Sequence, residues 1–403
     1  MASVPFPVPP GNRLLVWLSI FLSFLRLGLT SFGGPIAHLG FFRHEFVEQR
    51  KWLDDRSYAD LVSLAQFLPG PASSQVGIGL GLLRGGLPGA FCAWLGFTLP
   101  SAVLLMLFGL LMRHGGSVLG DHWLHGLKLA AVAVVAQAVW GMGKSLCPDR
   151  ERASMAVFAA GAAACWPGVW TQLAVIVVGG VLGWRWLDGE SAAATPFQLV
   201  RGRNAAVFAL LIFALLLLVL PLLARSGGHG WPLADRFFRA GALVFGGGHV
   251  VLPVLQAEVV PQGWVSNGDF LAGYGVAQVV PGPMFSFAAY LGVVSAATPH
   301  GWLGGIIALV AIFLPGFLLM IGVLPFWDRL RHRPAARNVM RGVNAAVVGL
   351  LLAALHDPVW TGAIHDGSDF SLALLAFLAL LFWRWPAWAV VALCAAAAGL
   401  LAL

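Results

Sequence analysis

Long apolar stretches follow one another along almost the whole chain, and no gap between them could hold a folded domain. Of the 403 residues, 59% are hydrophobic and only 10% are charged, which excludes an ordinary soluble domain. An apolar helix of about 20 residues crosses a bilayer. The sequence therefore predicts an all-α polytopic membrane protein, with apolar stretches at 14–31, 58–83, 86–112, 123–143, 153–184, 204–224, 234–256, 268–296, 300–327, 342–355, 370–383 and 386–403.

Proline and glycine interrupt several of these stretches at mid-depth. The interruptions are FGGP at 32–35, FLPGP at 67–71, WPG at 166–168, FGGG at 245–248 and VVPGP at 279–283. Broken backbone is tolerated inside a membrane only where it is buried in protein or lines a polar cavity, because unpaired N–H and C=O groups are costly in hydrocarbon. The breaks therefore predict an internal cavity.

The chain also repeats itself. Phe32 and Phe245, which begin the two FGG runs, lie 213 positions apart, and other residues match at nearly the same shift. The other matching pairs are Arg26 with Arg239, Glu45 with Glu258, Gln66 with Gln278, Ser74 with Ser286, and Pro100 with Pro315. Internal repeats of this length predict two copies of one structural unit.

The repeat divides the chain into three parts. We expect an N-terminal repeat over 1–190, a linker over 191–229 that contains one transmembrane helix at 204–224, and a C-terminal repeat over 230–403. The linker helix has no partner in either half. A single unpaired crossing between two copies inverts the second copy relative to the first.

Basic residues indicate the same inversion. Residues 43–57 hold four Lys or Arg, whereas their counterpart at 256–269 holds none; the pattern reverses between 113–122, with one Arg, and 328–341, with five. Because Lys and Arg are retained on the cytoplasmic side, equivalent loops lie on opposite faces, which predicts inverted-topology repeats. Residues 144–152 are basic as well, and three full crossings would put them on the opposite side from 43–57. The simplest topology therefore makes 58–83 a re-entrant pair of half-helices with PGP at its tip.

Inverted repeats with broken helices are typical of secondary transporters, whose substrates bind between the repeats. Helix N-termini that follow the breaks present free N–H groups and the positive end of the helix dipole, which favours an anion. An intramembrane Arg is costly enough that a functional or paired role is expected. The candidate substrate-binding residues are Arg26, Gly33, Gly34, His38, Gln66, Pro69, Gly70, Pro71, Ser73, Ser74, Arg239, Gln278, Gly282 and Ser286.

Each of these candidates also has a purely structural interpretation. The serines can cap helices, and the two arginines can snorkel to an interface or pair with Glu45 or Glu258. His38 and His249 follow the FGG breaks closely. Either histidine could couple transport to protons if it titrates near neutral pH, or could simply satisfy a local hydrogen bond.

Nothing in the chain predicts catalysis, a cofactor or a metal site. The four cysteines form no CxxC pair, and His122 and His125 beside Asp121 have no second cluster of ligands. HExxH, GxSxG and Walker patterns do not occur in a usable context. The net charge of +7 belongs to the loops and reports orientation in the membrane, so no nucleic-acid partner is expected.

Two pairs of segments resemble the chromate ion transporter family in its long two-domain form. SFGGPIAHLGFFRHEFVEQRKWLDD and AQFLPGPASSQVGIGLG carry the resemblance in the first half, and FGGGHVVLPVLQAEVV and AQVVPGPMFSFAAYLG in the second. The resemblance implies a secondary-active transporter of the bacterial inner membrane that exports chromate, with sulfate as an analogue, and gives chromate resistance. Gly248 replaces the proline of FGGP, and Val251 stands opposite His38, so substrate contact is expected mainly in the first half.

The residues themselves indicate only an anionic substrate in a bilayer. An anion channel and a sulfate transporter of the same fold remain as alternatives, and a membrane-embedded enzyme is the least favoured. A homodimer is compatible with the repeat architecture, although no stripe of small residues marks an interface.

Overall fold

The computed structural model describes residues 13–32, 34–115, 121–187, 203–225, 230–245, 248–327, 330 and 333–401. Over these residues the regular structure is helical, and six helices are long and apolar enough to cross a membrane. The α-helices are α1 (Arg13–Thr30), α2 (Gly34–Arg43), α3 (Asp55–Phe67), α4 (Ala72–Gly115), α5 (Asp121–Leu146), α6 (Arg150–Cys165), α7 (Val169–Trp186), α8 (Arg203–Arg225), α9 (Trp231–Leu243), α10 (Val251–Val259), α11 (Asn267–Val279), α12 (Phe287–Val294), α13 (Gly301–Val323), α14 (Pro334–Ala354), α15 (Gly367–Leu381) and α16 (Ala387–Leu401).

The helices of the two repeats correspond one to one. Helices α1, α2 and α3 match α9, α10 and α11, and α5, α6 and α7 match α14, α15 and α16. Helix α4 turns sharply at Gly86 (φ +66°), so its two segments match α12 and α13. The linker helix α8 has no counterpart, as predicted. The domain bounds fall at or beside residues outside the described ranges, so the division at 190 and 230 stays a prediction.

Corresponding helices run in opposite directions. The Trp94 ring on α4 lies 5.9 Å from the Phe313 ring on α13. Further along α4, Met106 lies against Gly305, which precedes Phe313 on α13. The start of α5 likewise lies beside the residues that follow α14, since the rings of His125 and His365 stack at 5.7 Å. The predicted all-α fold with two inverted repeats is confirmed.

The two repeats interlock through their last helices. Helix α5 of the first repeat packs on α15 and α16 of the second, and α14 packs on α6 and α7 of the first. Glycines permit both approaches: Gly126 lies against the Cys394 carbonyl, and Gly342 against the Gly179 carbonyl. The largest group of buried apolar side chains accordingly draws on helices of both repeats.

Each repeat begins with two helical hairpins. In the first repeat, α3 and the first segment of α4 form the predicted re-entrant pair around PGP. A second hairpin, which the sequence did not predict, is formed by α1 and α2. Trp17 of α1 donates to the carbonyl of Gly85 at the far end of that α4 segment (3.0 Å), whereas His38 of α2 lies beside Ser73 at its start (3.4 Å). The FGG and PGP breaks therefore both lie at hairpin tips.

Candidate functional site

Each PGP turn is held by the opposite repeat. The Gly70 N–H donates to the Val244 carbonyl (2.7 Å), and the Gly282 N–H donates to the Ser31 carbonyl (3.1 Å). Ser31 and Val244 directly precede the two FGG runs, so the two hydrogen bonds are equivalent by the repeat symmetry. Both glycines have φ values that side chains disfavour, +123° and +109°. The hairpin tips of the two repeats thus meet in pairs.

A cavity of about 430 Å³ lies where three of the four FGG and PGP breaks converge. The first FGG break supplies Gly34 and His38, and the second PGP turn supplies Gln278 and Gly282. The second FGG break supplies His249. The other lining residues are Ser31, Val134, Gln137, Ala277, Val280, Met284, Leu380, Leu381, Arg384, Trp385, Pro386 and Ala387. Both repeats therefore build the cavity.

The cavity has the electrostatic character of an anion site. Among its described lining residues Arg384 is the only Lys or Arg, and there is no Asp or Glu. Arg384 lies in the exposed turn between α15 and α16, and the ion pairs of the described residues do not include it. Helix α2 begins at Gly34, so the positive end of its dipole lies at the cavity wall. Positive potential without opposing carboxylates favours a bound anion.

Further polar groups complete the lining. His38 is buried, with Nδ1 3.4 Å from the Ser73 hydroxyl, and His249 Nδ1 lies 3.0 Å from the Tyr274 hydroxyl. The hydroxyl of Ser31 is buried without a hydrogen-bond partner. A buried hydroxyl at a cavity wall that has no protein partner is a donor available to a ligand.

The structure brings four of the residues predicted to bind substrate into this cavity: Gly34, His38, Gln278 and Gly282. Two others stand behind the wall. Ser73 contacts His38, and the Ser286 hydroxyl lies 2.7 Å from the Ser101 hydroxyl. Gly33 lies outside the described residues.

The remaining predicted residues lie elsewhere. The first PGP turn, Pro69–Gly70–Pro71, packs against Gly316 of α13, and Ser74 is buried next to it in the chain; Gln66 is exposed. Arg239 forms an ion pair with the buried carboxylate of Asp235. Arg26 lies on the exposed face of α1. These residues do not line the cavity, so their contact with substrate stays a prediction.

Three polar lining residues, Ser31, Gln137 and Arg384, were not predicted from the sequence. Gln137 lies within the apolar stretch of α5, where its side-chain amide donates to the Leu380 carbonyl (3.3 Å). Arg384 directly follows the apolar stretch 370–383 and was not among the candidates. A polar residue inside a long apolar run was the available signal for Gln137, and the position next to the FGG break was the signal for Ser31.

A second polar cavity, of about 530 Å³, lies at the N-terminal ends of α5 and α11. Its charged and titratable lining residues are His122, His125, Lys128, Asp269, His365, Asp366 and Asp369. The His125 Nε2 lies 2.6 Å from an Asp369 oxygen, and the Ser368 hydroxyl and the Asp369 N–H lower the pKa of Asp366 by donating to its carboxylate. In the part of the chain that is described, no three His, Cys, Asp or Glu side chains are placed so that they could hold one metal ion together.

Comparisons with known proteins agree with this architecture. The family model described as "Chromate transporter" matches residues 18–184 and 231–400. The chain is 30% identical over 382 residues to a "Chromate transport protein" of Pseudomonas aeruginosa, covering 92% of this chain and 88% of the relative. A "Chromate transport protein" of Cupriavidus metallidurans is 29% identical over 348 residues, covering 83% and 81% of the two chains. No solved structure matches the chain.

Proposed function

Since the chain belongs to the chromate transporter family, we propose that it is a secondary-active transporter that exports chromate from the cytoplasm. The observation that carries this proposal is the central cavity. It is built by both inverted repeats, contains Arg384 and several hydrogen-bond donors, and has no carboxylate among its described lining residues. These are the properties that a site for an oxyanion requires.

Chromate is a tetrahedral dianion, so its site must supply donors in several directions. The amides of Gln137 and Gln278 and the hydroxyl of Ser31 line different parts of the wall, and Arg384 adds the charge. Hydrogen bonds to a charged group contribute about 1.5–3 kcal/mol each. Sulfate has the same shape and charge, so we propose it as a competing substrate.

The polar cavity at the start of α5 supports an export pathway. Along α5 and α11, Lys128 and Asp269 line that cavity, while Val134 and Ala277 line the central one. The loops nearest to it, 256–269 and 356–369, have no Lys or Arg, so we place it on the outer side of a bacterial inner membrane. Its three carboxylates disfavour retention of a dianion, which promotes release outward.

Purified protein in liposomes should take up chromate with saturable kinetics, because the substrate must be bound and carried. Uptake should occur only in the presence of an ion gradient or membrane potential, because a secondary-active transporter is driven by one. Uptake of chromate measured with imposed gradients tests this, with sulfate as competitor. Ohmic current without coupling would favour an anion channel instead.

Sedimentation of the solubilised protein would show whether it is the homodimer that we propose for an inverted-repeat carrier.

The two glutamines at equivalent repeat positions offer a matched comparison. Gln278 lines the cavity and Gln66 is exposed. We expect Gln278→Ala to raise the KM for chromate about fivefold or more, because a donor to a charged ligand is lost. If the cavity is the site, Gln66→Ala has little effect in the same flux assay. The reverse order of effects would move the site to the first PGP turn.

Single cysteines at Gln49 and Gln262 test the proposed orientation. The two positions are equivalent in the repeats, and both are exposed. In a background without the four native cysteines, we expect a membrane-impermeant thiol reagent to label Gln262→Cys in intact spheroplasts and Gln49→Cys only after lysis. Labelling of both from the same side would contradict the inverted arrangement.

A further inference from the structure

The polar cavity of about 530 Å³, which we call the outer cavity, is separated from the central cavity by a contact between α11 and α5. Along α11, Ala272 lines the outer cavity and Ala277 lines the central one, and Gly275 lies between them. A Cβ added to Gly275 would lie 2.7 Å from the carbonyl oxygen of Leu127 on α5. The backbones of the two helices therefore touch between the cavities, which closes the direct way from one to the other.

Helix α3 is the counterpart of α11 and keeps the same register. Both helices have 13 residues, and the N-cap residues Asp54 and Ser266 each accept a hydrogen bond from the N–H three residues later. Counted from these caps, Ser63 of α3 stands at the position of Gly275 of α11. The two helices thus carry different side chains at the point where α11 meets α5.

One face of α3 is exposed where the same face of α11 is packed. Ala59, Ser63 and Gln66 are exposed on α3, whereas Leu271 and Gly275, at two of the equivalent positions, are buried. Helix α11 packs on α5 and α16, whereas the main contacts of α3 among the described helices are with α2 and α4. A polar helix face inside a membrane borders water or protein rather than lipid. Since α3 follows the basic loop of the first repeat, this face lines an opening toward the cytoplasm.

The equivalent partner for α3 is α14. On α5, Leu127 follows Gly126. On α14, Val343 follows Gly342, and both glycines lie against a backbone carbonyl of the other repeat. Val343 is therefore the equivalent of Leu127. A contact of Ser63 with the α14 backbone at Val343 would close the cytoplasmic side in the way that α11 and α5 close the outer side.

The central cavity reaches the cytoplasmic side. Arg384, one of its lining residues, is exposed in the turn at the end of α15. Helix α15 begins within the outer segment 356–369, and its 15 residues extend about 22 Å toward the other side. The outer side is therefore closed by the packing of α11, while the inner side is open.

We propose that the structure is the inward-open state of the transporter, and that outward opening exchanges two equivalent contacts: α11 leaves α5 while α3 moves onto α14. Each repeat then adopts the packing that the other repeat already has, which is how inverted repeats alternate between two openings. Gly275 is the outer gate position and Ser63 is the inner one. This inference rests on the proposed transport function and adds to it where the two gates lie.

The two gate residues also decide which state is favoured. Only a hydrogen atom fits between the Gly275 backbone and the Leu127 carbonyl, whereas Ser63 carries a Cβ and a hydroxyl. Helix α3 therefore cannot approach α14 as closely as α11 approaches α5, because close approach of membrane helices depends on small residues. Tighter packing on the outer side favours the inward-open state, in which cytoplasmic substrate can enter.

Two substitutions at Ser63 should move this equilibrium in opposite directions. Ser63→Gly allows α3 to approach α14 and favours the outward-open state, whereas Ser63→Leu keeps these helices apart and holds the inward-open state. Ser63 is exposed and its hydroxyl donates to the Ala59 carbonyl within α3, so neither change removes a contact between helices. Ser371→Leu is the matched control, because Ser371 is likewise exposed and donates to the carbonyl four residues earlier, at the outer end of α15.

A single cysteine at Ala277, in a background without the four native cysteines, reports the opening because Ala277 lines the central cavity. A membrane-impermeant thiol reagent is added to intact spheroplasts. We expect it to label Ala277→Cys about threefold faster with Ser63→Gly and about threefold more slowly with Ser63→Leu. Chromate uptake into liposomes should fall about tenfold with Ser63→Leu and stay unchanged with Ser371→Leu, both at unchanged Tm.

The labelling needs no substrate, so it tests the gates independently of chromate. Failure of the unmodified chain to carry chromate would count against the proposed function alone. Equal outside labelling with Ser63→Gly and Ser63→Leu, or unmodified uptake with Ser63→Leu, would overturn the gate proposal. Loss of uptake with Ser63→Leu without slower labelling would show that the leucine obstructs entry, and would overturn it as well.

Discussion

Replacing Arg384 by Gln should raise the KM for chromate about tenfold or more while leaving the protein folded and inserted. Arg384 is the only Lys or Arg among the described lining residues of the cavity, and no described carboxylate opposes it. A charged hydrogen bond is worth about 1.5–3 kcal/mol, and 1.4 kcal/mol corresponds to tenfold in affinity. Initial rates of gradient-driven chromate uptake into liposomes, measured over a range of concentrations, give the KM directly.

Two controls separate the charge of Arg384 from its backbone. The residue has φ +57°, a conformation that Gln adopts no less easily than Arg, so the substitution adds no new strain. Arg384→Lys keeps the charge but loses the planar fork of donors, and we expect an intermediate KM. Wild-type kinetics in Arg384→Gln would remove this residue from the site, and an equal loss in Arg384→Lys would point to shape rather than charge.

Replacing Gly342 by Ala should destabilise the protein by about 2 kcal/mol or more. An added Cβ would overlap the carbonyl oxygen of Gly179 on α7, which is backbone and cannot rotate away. Helices α7 and α14 would have to separate, and overpacking of this kind costs about 1–3 kcal/mol or more. Because α14 of one repeat packs on α7 of the other, the expected result is a lower Tm and a smaller fraction of monodisperse protein in detergent.

Gly161 on α6 provides the matched control. It is also a helical glycine, but a Cβ at this position has no neighbour within 4 Å. Gly161→Ala should therefore leave Tm unchanged or raise it slightly, since alanine is the better helix former by about 0.5–1 kcal/mol. Gly126→Ala, the repeat counterpart of the first variant, should behave like Gly342→Ala. Equal Tm values for Gly342→Ala and Gly161→Ala would contradict the interlocked packing.

Much of the architecture could be predicted because membranes impose strong local rules. The apolar stretches, the unpaired helix α8 and the re-entrant pair around Pro69–Gly70–Pro71 follow from hydrocarbon partitioning and from the side on which Lys and Arg are retained. The hairpin of α1 and α2 was missed. A break at a hairpin tip and a break within a crossing helix have the same sequence pattern, and only packing on α4 distinguishes them.

The candidate site was predicted in part for the same reason. Gly34, His38, Gln278 and Gly282 lie at breaks and were recognised by that position. Gln66 has the same local sequence context as Gln278 but is exposed, because the cavity opens beside only one of the two PGP turns. The equivalence of two repeats in sequence does not require equivalent exposure, since one conformation of a transporter presents its site asymmetrically.

Composition, periodicity, repetition and loop charge were enough to establish a helical membrane protein of two inverted copies, and they predict an internal site for an anion. Each of these properties depends on how short segments partition between water and lipid, which neighbouring residues decide. The hydrogen bond of Gly282 to Ser31, and the placing of His38, Gln137 and Arg384 around one cavity, depend on contacts between segments far apart in the chain. Such contacts depend on the fit of whole helices against one another, so only the tertiary structure could identify them.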